Sequence, residues 1–328
     1  MDANDINSLK KILLIGCYMG PLPGYFRLWL KSCEYNPTID WLIFTDQKII
    51  DLPGNVKIIN ATLSQLKEVF SEKLGFPVPL ERPYKLCDYK PAYGLIFSKY
   101  VEPYDFWGHC DFDMIFGDIR HFITPDILSD YDRIFNLGHL SLFRNNEFIN
   151  QAFMLDGGTE NYKVVYSAEQ NFGFDEYNGI NIIFRNNHIK TYETRSIADI
   201  SYKYKRFKLV PADINYPNQI FFWERGSVYR YSFFDNREHL DNFIYIHFQK
   251  RPNMAMNDCK EPCEAFYIGS KGFFSKIAGR EDKNKFMTVN PYPGRLIEFL
   301  ELSDFFVKDK RKSISKRFSH WMTILAGD

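Results

Sequence analysis

The segment that most restricts how this chain can fold runs from Tyr104 to Ile119, YDFWGHCDFDMIFGDI. Apolar and aromatic residues lead into Asp111, Phe112 and Asp113, more apolar residues follow, and Gly117-Asp118 closes the segment as a turn. If Phe106 to Cys110 is a buried strand, Asp111 and Asp113 emerge at its carboxyl end. Side chains two apart on an extended chain share a face, so both carboxylates point one way while Phe112 turns back into the core. Hard oxygen ligands suit Mg²⁺ or Mn²⁺, and such an ion takes its other ligands from water and from a substrate's phosphates. A nucleotide-sugar diphosphate has that chemistry.

An Asp-x-Asp alone says little, since a chain of this length should hold on the order of one by chance. A second copy, Asp130-Tyr131-Asp132, lies in a polar stretch before an expected strand and reads as a solvated turn. The first copy differs in context. An aromatic strand has no packing reason to deliver two carboxylates to a sheet edge, and carboxylates are seldom buried unpaired.

With 328 residues, 45% hydrophobic and 25% charged, the chain can bury a large core and reads as one large domain or one with an appendage. The formal net charge is zero, which argues against bulk nucleic-acid binding. Aromatic content is high at 17%; such rings can stack on sugars, but most are expected in the core. The six cysteines show no framework pattern, which predicts reduced thiols in the cytoplasm. Cys259 and Cys263 have no matching second pair, so zinc is not expected. The apolar run Ile12 to Ile15 follows acidic residues and ends in Gly16, which suits a strand better than a signal peptide. No apolar run approaches the roughly 20 residues of a membrane span.

Lys11 to Gly16, Trp41 to Asp46 and Val56 to Ile59 read as strands, with an amphipathic segment from Tyr25 to Cys33 between the first two. Thr62 and Gln65 stand at capping-box spacing and should open a helix. Alternating strands and helices point to a parallel sheet with ligands beyond the strands' carboxyl ends, where Thr45, Asp46, Asp111 and Asp113 would lie. Pro91 is placed to start a helix running to about Tyr100, with Lys85, Asp88 and Lys90 in the loop before it. That loop either receives phosphate at a helix amino end or is solvated with a surface salt bridge.

Asp132 to Leu137 and His139 to Arg144 should be strands, and Asn145 to Leu155 a helix. Asn171 to Ile183 mixes aromatics with Asp175, Glu176, Asn178 and Asn181; it either meets sugar hydroxyls or is a hydrogen-bonded loop. Lys205 to Val210, Gln219 to Trp223 and Val228 to Phe234 read as antiparallel strands. In Phe243 to Pro252, Ile244, Ile246 and Phe248 share one face and Tyr245, His247 and Gln249 the other. His247 is either a core histidine or a third ligand beside the Asp pair, and Lys250-Arg251 gives the strand a cationic exit suited to a diphosphate. From residue 307 a basic run, Lys308 to Arg317, precedes Phe318, Trp321, Met322, Ile324 and Leu325. This tail is either a helix lying on a membrane surface or a solvated helix whose Trp321 packs on the domain.

Three features in this order resemble the GT-A-fold, metal-dependent glycosyltransferases that use nucleotide-sugar donors. Asp111 to Ile119 is similar to the D-x-D-x-x-x-G-D-[IL] of the family-eight galactosyl- and glucosyltransferases and glycogenin. Ile246-His247-Phe248 with Lys250 and Pro252 is similar to their late I-H-[FY]…K-P segment, although it is shorter and lacks that segment's Gly. The first strand and the FTD ending at Asp46 fall where such enzymes hold base and ribose. YKLCDYKPAYG and FWGHCDFD also resemble uncharacterised proteins of bacterial polysaccharide gene clusters.

The resemblance implies a Rossmann-like mixed sheet flanked by helices, a C-terminal antiparallel part and a basic amphipathic tail. It implies a nucleotide-binding half over 1–120, an acceptor half over 121–306 and the tail over 307–328. Asp113 and His247 would hold the metal, Asp111 metal and ribose, and Lys250 the diphosphate. The implied reaction moves a hexosyl group from a UDP-sugar to a glycan, such as a lipid-linked oligosaccharide of a capsular polysaccharide at the inner face of the plasma membrane. Family-eight-like sites imply retention of configuration; an inverting enzyme would need a base, for which Asp175 and Glu176 are the candidates. The alternatives are a haloacid-dehalogenase-like phosphatase, whose Asp pair should follow the first strand, and a non-enzymatic carbohydrate-binding protein.

Overall fold

The computed structural model describes residues 9–210, 214–259, 263–280 and 282–325, with 311–325 as backbone alone. Two compact units emerge: one runs through Ile197 and is joined by Arg225–Val228 and Phe243–His247, and the other comprises Ala198–Glu224, Tyr229–Asn242 and the remainder from Phe248. The division falls near residue 198.

The first unit is a mixed α/β structure. Its seven-stranded sheet has the order β3-β2-β1-β4-β7-β6-β8. The strands are β1 (Ile12–Tyr18), β2 (Ile39–Thr45), β3 (Val56–Asn60), β4 (Phe106–Cys110), β6 (Arg133–Leu137), β7 (Leu140–Arg144) and β8 (Thr191–Tyr192), with the short β5 (Met114–Phe116) outside this sheet. β3, β2, β1 and β4 run parallel, whereas β7 is antiparallel to both β4 and β6. Continuous apolar runs such as ILLI in β1 belong in the middle of such a sheet, where both faces are covered. Aromatic rings supply much of that cover. Phe44 stacks on Phe97 at 4.3 Å and Trp107 on Phe143 at 4.5 Å.

Helices form where the sequence signals them, with two corrections. Thr62 and Gln65 complete a capping box for Leu63–Leu74, and Gly75 closes that helix with φ at 78°. Pro91, however, does not start the next helix. Helical turns already begin at Pro83, and Pro91 sits inside a 3₁₀ turn, Lys90–Ala92. A proline in first-turn position needs no N–H, so Pro83 takes the role expected of Pro91. Lys85, Asp88 and Lys90 consequently lie within helical turns, not in a loop before them. The expected helix over Asn145 to Leu155 is confined to Glu147–Gln151 and a following 3₁₀ turn.

The second unit holds a five-stranded sheet in the order β12-β11-β10-β14-β15. Its strands are β10 (Asn218–Glu224), β11 (Ser227–Phe234), β12 (Arg237–Phe243), β14 (Ala265–Gly269) and β15 (Gly272–Ser275). β10, β14 and β15 pair antiparallel. Ala198–Asp199 forms β9, and Tyr245–His247, of the first unit, forms β13. The strand expected over Lys205 to Val210 is reduced to one bridge, Ile200 with Leu209. Its backbone groups are taken by side chains instead: Phe207 N donates to Asn290 Oδ1 at 2.7 Å and Leu209 N to Asn215 Oδ1 at 2.6 Å. A long helix, Arg295–Leu325, ends the described chain; it starts well before the expected tail at 307, and residues 326–328 lie outside the described residues. Among the described residues no helix is long and apolar enough to cross a membrane.

Gly16 in β1 makes the packing under the Asp pair possible, because a Cβ there would stand 2.6 Å from the Phe112 ring. Gly16→Ala should therefore lower stability by about 1–3 kcal/mol in urea unfolding. Gly54→Ala, with nothing within 4 Å of the added carbon, should leave it unchanged.

Candidate metal centre

β4 lies between β1 and β7 at the centre of the sheet, and the chain leaves its carboxyl end with Asp111 clamped on both sides. Asp111 N donates to His139 O at 2.9 Å, and Trp29 Nε1 donates to Asp111 O at 3.2 Å. Phe112, in the bend between β4 and β5, turns inward and lies 5.0 Å from the rings of both Trp29 and Tyr18. The aspartates on either side of it are left at the edge, partly exposed. β5 starts directly after Asp113 and pairs antiparallel with β13, placing His247 opposite Met114. His247 Nε2 thereby comes within 3.4 Å of Asp113 Oδ1. One ligand atom from each of Asp111, Asp113 and His247 lies within 4.8 Å of the others.

This donor set fits a divalent ion. Two carboxylates supply hard oxygen and the imidazole a borderline nitrogen, a mixture that suits Mn²⁺ at least as well as Mg²⁺. Burial alone would raise the Asp113 carboxyl, but the hydrogen bond and charge of His247 outweigh it and hold the group below its usual range. Asp113 is thus ready as an anion. His139 stacks on His247 with ring centroids 3.9 Å apart and steadies the imidazole from behind.

Lys90 forms the floor. Its buried ammonium donates to Asp111 Oδ1 and to Gly138 O, both at 2.7 Å, and lies 3.5 Å from Asp175 Oδ2. Burial disfavours this charge, but the surrounding anions win and raise the lysine well above its normal value. One ammonium cannot neutralise two carboxylates. Asp111 holds the shorter contact, and burial pushes Asp175 up to about 7 despite Lys90. Glu176 Oε1 accepts from Gly138 N at 2.9 Å. Gly138 has to be glycine here, since a Cβ would stand 2.6 Å from Glu176 and 2.8 Å from Asp175 Oδ2.

Asp111, Asp113, His247, Lys90, Asp175 and Glu176 are therefore linked in one neighbourhood, while the other expected site residues have partners of their own. Thr45 is fully buried, its Oγ1 accepting from Gln47 N and its carbonyl from Ala61 N. Asp46 is exposed, but its carboxylate accepts from Gln47 Nε2 and Gly20 N, which hold it below the usual range and fasten the loop after β1. Asp88 is sealed in the core, where it takes Lys85 Nζ at 2.8 Å and the N–H groups of Phe172 and Phe174. Arg251 is spent on the carbonyls of Phe248, Ser201 and Tyr204. Lys250 belongs to the second unit, with its ammonium 4.2 Å over the Tyr202 ring. In the second Asp-x-Asp, Asp132 accepts from Arg144 Nε at 3.0 Å.

Sequence reasoning passed over His139, Gly138, Tyr84 and Tyr177. The Gly138-His139 pair between two apolar strands was a signal that a tight turn would reach the Asp edge. Tyr84 and Tyr177 are the most exposed tyrosines among the described residues, at 72% and 71%. Tyr177 follows Glu176, and the Tyr84 hydroxyl, raised by partial burial, also feels Asp175 and Asp111.

A family model described as a family of unknown function, DUF6625, matches residues 14–277. The chain belongs to that family. No curated protein matches it. The match runs from β1 to just past β15 and includes every residue of the centre described above.

The Asp175 carboxyl gives a test with a definite sign. Burial raises it from its ordinary value of 3.8 to about 7, so between those values the folded state binds the extra proton and stability falls as pH rises. Asp175→Asn removes that fall. The melting temperature of the variant relative to the parent should climb from about pH 4 to about pH 7 and then level off; a constant difference would mean an ordinary carboxyl.

Proposed function

We propose that the protein is a metal-dependent glycosyltransferase of GT-A fold, transferring a hexosyl group from a nucleotide sugar, a UDP-sugar by resemblance, to a glycan acceptor. The observation that carries this reading is the convergence of Asp111, Asp113 and His247 at the carboxyl end of a central strand. A parallel run of four strands leading to that edge, with antiparallel strands beyond it, supports the fold assignment. The Asp pair follows the fourth strand, not the first, which disfavours the phosphatase alternative. A lipid-linked oligosaccharide of a surface or capsular polysaccharide is the acceptor class we propose, at the cytoplasmic side of the membrane.

In this reading Asp111, Asp113 and His247 hold Mn²⁺ or Mg²⁺, which supplies Lewis-acid stabilisation of the departing nucleoside diphosphate. Lys90 occupies one oxygen of Asp111 and fixes its rotamer, which leaves the other oxygen for the ion. Asp175 is buried and shared with Lys90, and Glu176 is engaged with Gly138 N. These engagements, together with the resemblance, favour retention of configuration, in which the chain chiefly positions an acceptor hydroxyl. The bare rings of Tyr84 and Tyr177 offer apolar faces on which a sugar can stack.

Mn²⁺ with UDP should raise the melting temperature, and a panel of nucleotide sugars should show Mn²⁺-stimulated hydrolysis. Asp113→Asn should abolish both. Lys90→Met, which removes a residue that orients a ligand, should weaken metal affinity by about 10–100-fold in a Mn²⁺ titration. A shift with free glycan but none with Mn²⁺ and UDP would instead assign the protein to carbohydrate binding.

A further inference from the structure

The back of the Arg295–Leu325 helix is fastened and its front is bare. Glu298 accepts from Lys208 Nζ at 2.9 Å and lies 3.1 Å from Arg206, Glu301 lies 3.8 Å from Lys205, and Phe305 meets the Tyr202 ring at 5.4 Å. On the other side Leu296, Phe299, Leu300, Phe306 and Val307 stand 72%, 65%, 56%, 47% and 49% exposed. With Ile297, these residues sweep roughly half the helix circumference at 3.6 residues per turn. In sequence, Ile314, Phe318, Trp321 and Leu325 continue the spacing of Leu300 and Val307. The segment 308–317 adds Lys308, Lys310, Arg311, Lys312, Lys316 and Arg317 against a single acid, Asp309.

We propose that this face docks on an anionic lipid surface. Its charge is complementary to acidic headgroups, and its apolar arc is too broad for a coiled-coil seam. Pairing with a second copy also meets a local obstacle. If Leu300, Val307, Ile314 and Trp321 fill one core position of a heptad, the other falls on Ile297, Asp304, Arg311, Phe318 and Leu325, so two charged residues enter the seam. A bilayer surface accommodates the same pattern, because long basic side chains reach phosphates while their stems and the rings stay in the apolar layer. At about 1.5 Å per residue the helix is long enough to lie across several headgroups, and it is too polar to cross.

The surface does not depend on the glycosyltransferase reading, and its test uses no nucleotide sugar. The full chain should co-sediment with vesicles of equal parts phosphatidylcholine and phosphatidylglycerol, be released by high salt, and ignore vesicles of phosphatidylcholine alone. Leu300→Glu with Val307→Glu, at exposed positions that leave the melting temperature unchanged, should weaken that binding by at least about tenfold. Absence of wild-type binding, or equal binding by the double variant, overturns the proposal. So does a concentration-dependent dimer in light scattering that the same substitutions dissolve, which would give the face to a second copy.

Discussion

The inward turn of Phe112 sets the geometry of the whole centre. Its ring is held among Trp29, Phe26 and Tyr18, above a position in β1 that has no side chain. Asp111 to Asp113 form a bend between β4 and β5, and with the Phe112 ring seated in the core the carboxylates on either side of it are left partly exposed. β5 starts directly after this bend, and its register with β13 brings His247 to Asp113. A core packing constraint and a polar site thus meet in one bend.

Electrostatic balance completes what packing begins. Lys90 stands between Asp111 and Asp175 with the Gly138 carbonyl as its third partner, so one buried cation is shared by two acids. In a medium of low polarisability the closer acid takes the ammonium and the farther one keeps its proton to about neutral pH. Asp113 gets its own compensation from His247. The centre therefore keeps Asp113 below the usual carboxylate range, where burial alone would have raised it.

Much of this was legible in the sequence because it rests on local rules. The DFD triplet after an aromatic strand, the capping box at Thr62, and the alternation from Ile244 to Gln249 each announce their geometry within a few residues. What was not legible depends on partners far apart in the chain. Nothing near Asp88 says that Lys85 and the N–H groups of Phe172 and Phe174 will enclose it, and nothing near Arg206 says that Asn290 will take the place of a neighbouring strand. β12, whose residues are polar and mostly exposed, carries no alternation to detect, and β15 is only four residues long. Proline position misled for a related reason: Pro83 and Pro91 are equally good first-turn residues, and only the packing around Lys85 decides between them.

The fate of the basic residues bears on how a diphosphate could be held. Of the cations that looked suited to phosphate, Lys85 is sealed with Asp88, Arg251 is bound to backbone carbonyls, and Lys250 belongs to the second unit, over the Tyr202 ring. Lys90 remains beside the Asp pair, and its charge is already matched by Asp111. With Asp111 matched by Lys90 and Asp113 compensated by His247, the centre has no spare positive charge of its own to offer an anionic ligand. On the proposed reading the divalent ion is then a condition for donor binding as well as for leaving-group departure, so the ion must enter before or together with the nucleotide sugar. A site that drew on lysine and arginine for the same purpose would bind UDP without metal; on the proposed reading this one does not, because Lys90 is spent on Asp111 and the Gly138 carbonyl.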